Sequence, residues 1–143
     1  MLDFSTKTTS TSVFVEVKDQ GEVIGLARAY GDSISMMEVV HTYQCSDDLI
    51  DISYEYPQVM DGEDIRILEV NVVSLSKEYQ GKGVGSDIYQ KLIDGWSKRV
   101  RKPFVIIPEK CSVSGSTSDM AMRVWESLKR KHPSSGLCVV VDL

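Results

Sequence analysis

The sequence predicts a mixed α/β, α+β fold in one domain, with helices packed on a single sheet. Three observations carry that expectation. Strand-like patterns come first and are followed by a strand–helix–strand–helix–strand order. Residues 65–75 form a run rich in Ile, Leu and Val with apolar side chains on both faces, the mark of a central buried strand. From Val84, apolar residues recur every four positions through Ile88, Leu92, Trp96 and Val100, the stripe of an amphipathic helix. A length of 143 residues suits one domain. An apolar fraction of 42% and a charged fraction of 26% exclude collagenous, disulfide-scaffold and wholly disordered chains.

The elements follow in order. Residues 1–12 are polar, rich in Ser and Thr, and predict a flexible N-terminal arm with no apolar signal core. The domain proper is expected over 13–143. Val13, Val15 and Val17 alternate with Phe14, Glu16 and Lys18, as in a strand. Asp19-Gln20-Gly21 is a turn and residues 22–30 resume the pattern, which predicts a hairpin. Gly31-Asp32 breaks it. Residues 33–64 form an acidic, variable region. Residues 35–43 read as a strand or a short helix, and 49–56 as a strand. A second hairpin turning at 45–48 is the preferred reading, with 57–64 an acidic loop. A glycine-bearing loop at 76–83 separates the long strand from the first helix. Gly95 weakens that helix by roughly 1 kcal/mol relative to Ala. Lys98, Arg99, Arg101 and Lys102 suit its C-terminal dipole, and Pro103 halts it. Residues 104–107 read as a short strand and 111–117 as a small-residue loop. The second helix carries Met120, Val124 and Leu128 on one face with Trp125 beside them, capped by Ser116, Thr117 or Ser118. Pro133 and Gly136 end it, and 137–141 is the last strand.

No apolar run approaches the roughly 20 residues that span a bilayer, so no membrane partner is expected. The net charge of −5 argues against non-specific nucleic-acid binding. Acids dominate residues 1–65 and bases dominate 66–143. That split is compatible with an unevenly composed solvated surface, or with one face for a cationic ligand and another for an anionic one. Cys45, Cys111 and Cys138 are odd in number, far apart and without metal-ligand spacing. They are expected as reduced thiols in a cytoplasmic protein that holds no metal.

The strongest local signal is Gln80-Gly81-Lys82-Gly83-Val84-Gly85-Ser86, where the long strand meets the first helix. Three glycines in five positions expose backbone N–H groups at a helix N-terminus, a site for phosphate oxygens. A P-loop needs Ser or Thr directly after Gly-Lys, and Gly83 stands there. A dinucleotide fingerprint needs a third glycine where Ser86 stands and a shorter approach than 76–80. Glu109 in the role of ribose-binding acid does not repair that mismatch.

Gln80-x-x-Gly83-x-Gly85 does match the Gln/Arg-x-x-Gly-x-Gly/Ala signature of the GNAT superfamily of acyl-CoA-dependent N-acetyltransferases, and the chain resembles that family. Residues 65–143 follow the family's order of elements, and the hairpin at 13–30 resembles its early strands. The resemblance implies a sheet with a splayed strand pair and two main helices. The usual N-terminal strand and two helices would be missing, and 33–64 would stand in for them. It implies that the backbone of Gln80, Gly81, Lys82, Gly83, Val84, Gly85 and Ser86 holds the pyrophosphate of acetyl-CoA. Val73, Ser74 and Leu75 would pair with its pantetheine arm, beside a bulge, and Ser118 joins these cofactor-binding residues. Lys82 and the basic stretch 98–102 would favour the anionic cofactor.

The implied reaction is attack of a primary amine, on a lysine, an N-terminus or a small molecule, upon the acetyl thioester. Glu69, eleven residues before Gln80, stands where one branch of the family keeps its general base. It reads equally as a strand-edge glutamate in solvent. Asn71 would orient a water or the acceptor. The family's thiolate-protonating tyrosine is replaced by Trp125, and the preceding Asn by Ser118. Indole cannot donate a proton as a phenol does. The acids Asp47, Asp48, Asp51, Glu55, Asp61, Glu63 and Asp64 make a cationic acceptor an expectation. A homodimer is compatible with the resemblance. A CoA-binding pseudoenzyme and a protein-interaction module on the same fold stay open beside the enzyme.

Overall fold

The structure is a computed structural model and describes residues 1–111 and 118–143. Strand β1 (Leu2–Thr8) runs antiparallel to β2 (Ser12–Asp19), with Leu2 opposite Asp19 and Thr8 opposite Val13. The N-terminal segment expected as a flexible arm is therefore an edge strand. Two apolar side chains suffice for that role: Leu2 and Phe4 pack against the core while Ser5 and Lys7 meet solvent. Thr9 Oγ1 makes the turn that follows, accepting from the N–H groups of Thr11 and Ser12 at 3.2 and 3.0 Å. The predicted β2–β3 hairpin forms, with Gln20 and Gly21 both at positive φ, as its two-residue turn needs.

Strand β3 (Glu22–Ser35) leads into two helices, α1 (Met36–Thr42) and α2 (Ser46–Glu55). This corrects the expected hairpin at 33–64. Ile50, Ile52, Tyr54 and Tyr56 alternate as in a strand, yet Leu49 and Ile52 recur at helical spacing, and those two are buried. Ser35 caps α1 by accepting from Glu38 N–H at 3.2 Å. Asp47 and Asp48 occupy the first turn of α2, where the dipole favours acids. The acidic loop at 57–64 is a one-turn helix (Pro57–Val59) and a short strand β4 (Met60–Asp61).

The long run becomes β5 (Asp64–Leu75), the centre of the sheet. Helix α3 (Val84–Val100), strand β6 (Phe104–Pro108), helix α4 (Asp119–Lys131) and strands β7 (Ser134–Ser135) and β8 (Cys138–Val141) complete the chain. The strand order is β1-β2-β3-β5-β6-β8-β7, with β4 beside β5. The β5–β6 pair is parallel and its neighbours are antiparallel, so the sheet is mixed. Ser118 caps α4, accepting from Ala121 N–H at 3.2 Å. The alternative caps Ser116 and Thr117, and most of the small-residue loop at 111–117, lie outside the described residues. No helix among the described residues is long and apolar enough to cross a membrane.

Alternation along β5 sorts two cores. Leu68 and Val70 point toward α3 and α4, where they join Val15, Leu92, Trp96 and Trp125. Ile65 and Ile67 point the other way, toward Val39, Leu49 and Ile52 of α1 and α2. Buried Arg66 ties the region together, with Nε donating to Pro103 O at 2.7 Å, Nη2 to Gln58 O, and Nη1 paired with Asp61 at 2.6 Å. Cys45 and Cys111 form a disulfide, which corrects the expectation of three reduced thiols; Cys138 is free and buried. Burial, with the Asp48 charge behind it, pushes the Cys138 thiol far up from its ordinary range.

Two glycines record close packing on α3. A Cβ at Gly95 would lie 2.8 Å from Thr6 Cγ2, so the residue that weakens the helix also seats β1. A Cβ at Gly31 would fall 1.9 Å from Trp96 Cζ2. Gly31→Ala is expected to lower stability by about 1–3 kcal/mol through overpacking. Urea unfolding checks this, and an unchanged midpoint would show that Trp96 moves freely.

Candidate functional site

The parallel β5–β6 ladder runs from Ile67 opposite Val105 to Val70 opposite Pro108 and stops there. Strand β5 continues to Leu75, so its last third has β3 on one side and no β6 on the other. The divergence starts beside a bulge. Arg28 pairs with Val72 and Ala29 with Val70, which leaves Asn71 as an extra residue without a β3 partner. The inserted residue flips the alternation. Val70 faces α3 and α4 before it, and Val73 and Leu75 face them after it. The bulge implied near Val73, Ser74 and Leu75 thus sits two residues earlier than Val73.

A crevice of about 230 Å³ opens where the strands part. Val70, Asn71, Val72 and Val73 form one wall, Pro108 and Glu109 the other, and Tyr89, Ser118, Ala121 and Trp125 line it from the helices. A second hollow, also about 230 Å³, adjoins the end of β5 and is lined by Leu75, Gln80, Gly81, Gly83, Gly85, Ser86 and residues of α4 including Arg123. Together the two hollows are lined by most of the expected cofactor-binding residues. Ser74 and Lys82 are exposed, and Val84 is buried in the first turn of α3.

The glycine loop is fixed at several points. Ser76 N–H donates to Ile24 O at 2.8 Å, and the Gln80 side chain donates to Leu75 O at 3.0 Å. Tyr79 OH donates to the Asp19 carboxylate, and that bond pushes the phenol up to about 12. Gly81 and Gly83 stand at φ +77° and +84°, with open space around each. Gly83 caps α3 without a side-chain bond, so the first N–H groups of the helix receive no capping oxygen from it. The basic stretch 98–102 does not share this place. It lies at the far end of a 17-residue helix, roughly 25 Å away, where Lys98, Arg99 and Arg101 line a hollow against Thr6 and Thr8. Arg123, unremarked in the sequence, is the cation that lines the loop hollow.

Glu69 sits on the opposite side of β5, in line with Ile65 and Ile67 and opposite Tyr30 and Ile107 in the register. It is half-buried. Burial first, and the Glu109 charge second, push its carboxyl up from the usual range. Asn71, with its amide turned to satisfy the local bonds, donates to Glu69 Oε2 and to Glu69 O at 3.1 Å each. Tyr43, at the end of α1, is pushed up to about 12 by burial and by the charges of Glu69, Asp32 and Glu38. Asp32, Glu38, Glu69 and Glu109 thus share one electronegative region. Two of the acids emphasised in the sequence have other partners. Asp48 accepts from Leu137 N–H at 3.5 Å, and Asp61 is paired with Arg66 and Lys102. Tyr43 went unnoticed because its segment was expected as part of a hairpin.

On the helix side of the crevice, Tyr89 and Trp125 meet edge to face, with centroids 5.6 Å apart and planes at 76°. Both are buried, and burial pushes the Tyr89 phenol up, so it stays protonated. Trp125 Nε1–H is buried and makes no hydrogen bond of normal geometry. The apolar stripe hid Tyr89; a tyrosine there supplies a polar tip, which was the available signal.

No protein-family model matches the chain, and no curated protein matches it in sequence.

The raised carboxyl of Glu69 has a thermodynamic consequence. Its folded-state pKa lies above the unfolded value, so the folded state holds the proton more tightly. Stability is favoured below the unfolded pKa and is lost as pH rises through the folded pKa. Between pH 4 and pH 7 the wild type should lose stability relative to Glu69→Gln. Parallel stability–pH curves for the two proteins would show that the carboxyl is not perturbed.

Proposed function

We propose that this chain has the GNAT fold and is an N-acetyltransferase, which moves the acetyl group of acetyl-CoA to a primary amine. The observation that carries the reading is the pair of hollows, one where β5 and β6 part and one at the glycine loop before α3, lined by the adjacent α4 residues Ala121 and Met120. An extended amide-bearing arm would pair with those backbone groups of Val73, Ser74 and Leu75 that face away from β3, although Leu75 O already accepts from Gln80. A pyrophosphate finds N–H groups at Gly81 to Ser86, the α3 dipole, and Arg123.

The crevice parts the sheet, so its two faces take different tasks. The cofactor lies on the α3–α4 face. The amine arrives on the α1–α2 face, beside Glu69. An alkylammonium must lose a proton before attack. Glu69 accepts it, directly or through a water, and its raised pKa improves the match to neutral pH. The amine nitrogen then bonds to the thioester carbonyl, whose oxygen is stabilised by backbone N–H groups of β5. Collapse breaks the C–S bond and yields the amide and the CoA thiolate. Tyr89, held neutral by burial, lines the crevice as a hydrogen-bond donor to that thiolate, which leaves unaided and takes its proton from solvent, since a thiol titrates at about 8.5. Trp125, standing where the family keeps a tyrosine, favours a second reading, CoA binding without transfer, because an indole cannot protonate the thiolate.

Release of free CoA from acetyl-CoA in the presence of a panel of amines decides between the two. On the enzyme reading, Glu69→Gln loses about a hundredfold in turnover near pH 7, retains CoA affinity, and recovers part of the loss toward pH 9. Wild-type turnover of the Gln variant across that range would remove Glu69 from the mechanism. Gly83→Val, which places a β-branched residue at φ +84° and a side chain where phosphate would approach, is expected to abolish CoA binding in calorimetry. Unchanged affinity in a folded Val variant would reject the loop assignment.

A further inference from the structure

The three cysteines come from distant parts of the chain and converge. Cys45 precedes α2, Cys111 ends the turn that follows β6, and Cys138 opens β8. Their sulfur atoms all lie within 4.8 Å of one another, and all three residues are buried. The Cys45–Cys111 disulfide accounts for two of them. It gives no reason for a third sulfur at the same point.

The surroundings hold that third sulfur in place. Asp48 accepts from Leu137 N–H, next to Cys138, and Gly136 leaves room for it: a Cβ there would fall 2.0 Å from Asp48 Oδ2. The first turn of α2, which follows Cys45, is thereby tied to the β7–β8 turn that presents Cys138. Three sulfurs around a tetrahedral zinc, with Zn–S near 2.3 Å, are roughly 3.8 Å apart. The spacing here needs only small side-chain adjustments to reach that geometry.

We propose that the reduced chain binds one thiophilic divalent cation of the zinc type through Cys45, Cys111 and Cys138, with solvent completing the coordination. Three soft donors of one kind select such a cation over Mg²⁺ or Ca²⁺. The disulfide and the metal site exclude each other, because the disulfide ties up two of the three ligands. Conversion requires a dithiol reductant. It gives two electrons and two protons to the Cys45–Cys111 bond, yielding two thiols, and is itself oxidised to a disulfide. The cation then displaces three thiol protons as three S–metal bonds form. The site is independent of acetyl transfer. It ties the connection between α1 and α2 to the segment that carries Glu109.

The test is a titration of the full-length protein with Co²⁺, once oxidised and once reduced under anaerobic conditions with the reductant removed. The reduced protein should develop thiolate-to-cobalt charge-transfer absorption that saturates at one metal per chain and is abolished by added Zn²⁺. The oxidised protein should develop none. Cys138→Ser retains the disulfide cysteines, so its fold is checked in the oxidised state by circular dichroism. Reduced Cys138→Ser should bind about tenfold more weakly or worse, with less charge-transfer intensity. A conservative Cys138→Ala variant provides the same comparison if Ser perturbs the core. Absence of the band in folded, reduced wild type would overturn the proposal. So would equal binding by Cys138→Ser, or by Cys138→Ala where that variant is used.

Discussion

The extra residue at Asn71 governs what the two central strands can do. Without it, β5 would keep one alternation from Asp64 to Leu75, and side chains after Val70 would face the wrong cores. With it, Leu68 and Val70 pack under α3 and α4, and Val73 and Leu75 return to that side after the bulge. A bulge also bends a strand and increases its local twist. The β5–β6 ladder ends at Val70 and Pro108, one residue before Asn71. The crevice and the edge of β5 beyond β6 follow from that point, whereas Glu69 and Tyr89 lie on opposite sides of the sheet by the ordinary alternation that precedes the bulge.

Charge placement works with this geometry. The electronegative region near Glu69 is assembled from β3, α1, β5 and the turn after β6, so no single segment announces it. Two acids of 33–64 are committed to structure. Asp61 is held below the usual carboxylate range by its bond to Arg66, and Asp48 braces the β7–β8 turn. On the other face, the loop hollow gains Arg123 from α4, while the dense basic cluster sits at the distal end of α3. A sequence-wide split of charge therefore describes the protein less well than a few side chains delivered by separate elements.

The readable parts of the sequence were those in which a pattern had one interpretation. Val84 to Val100 repeats every four residues, and Gly83 stands where a helix begins at positive φ. Residues 13–30 alternate around a turn that carries its own glycine. The stretch 49–56 supported both periods, and burial of Leu49 and Ile52 against Ile65 and Ile67 chose the helix. The edge strand β1 was hidden because its stability comes from β2 and from the space at Gly95, not from its own composition. At the candidate site, the glycine loop was singled out by its own residues and Glu69 through the family resemblance. The resemblance implied a bulge but placed it near Val73 rather than at Asn71; Tyr43, Tyr89 and Arg123 were not recognised as lining residues, since each takes its meaning from a neighbour far along the chain. The pairing of Cys45 with Cys111 has the same origin in tertiary contact.

Amide hydrogen exchange with and without CoA tests the central claim most directly, because it reads the backbone groups on which the account rests. Bound CoA should slow exchange at two places together: the N–H groups of β5 between Val73 and Leu75, and those of the loop and first helical turn between Gly81 and Ser86. The α1–α2 face should change little. Protection confined to the basic cluster at the end of α3, or no protection in the presence of saturating CoA, would contradict the assignment of the parted strands as the cofactor path.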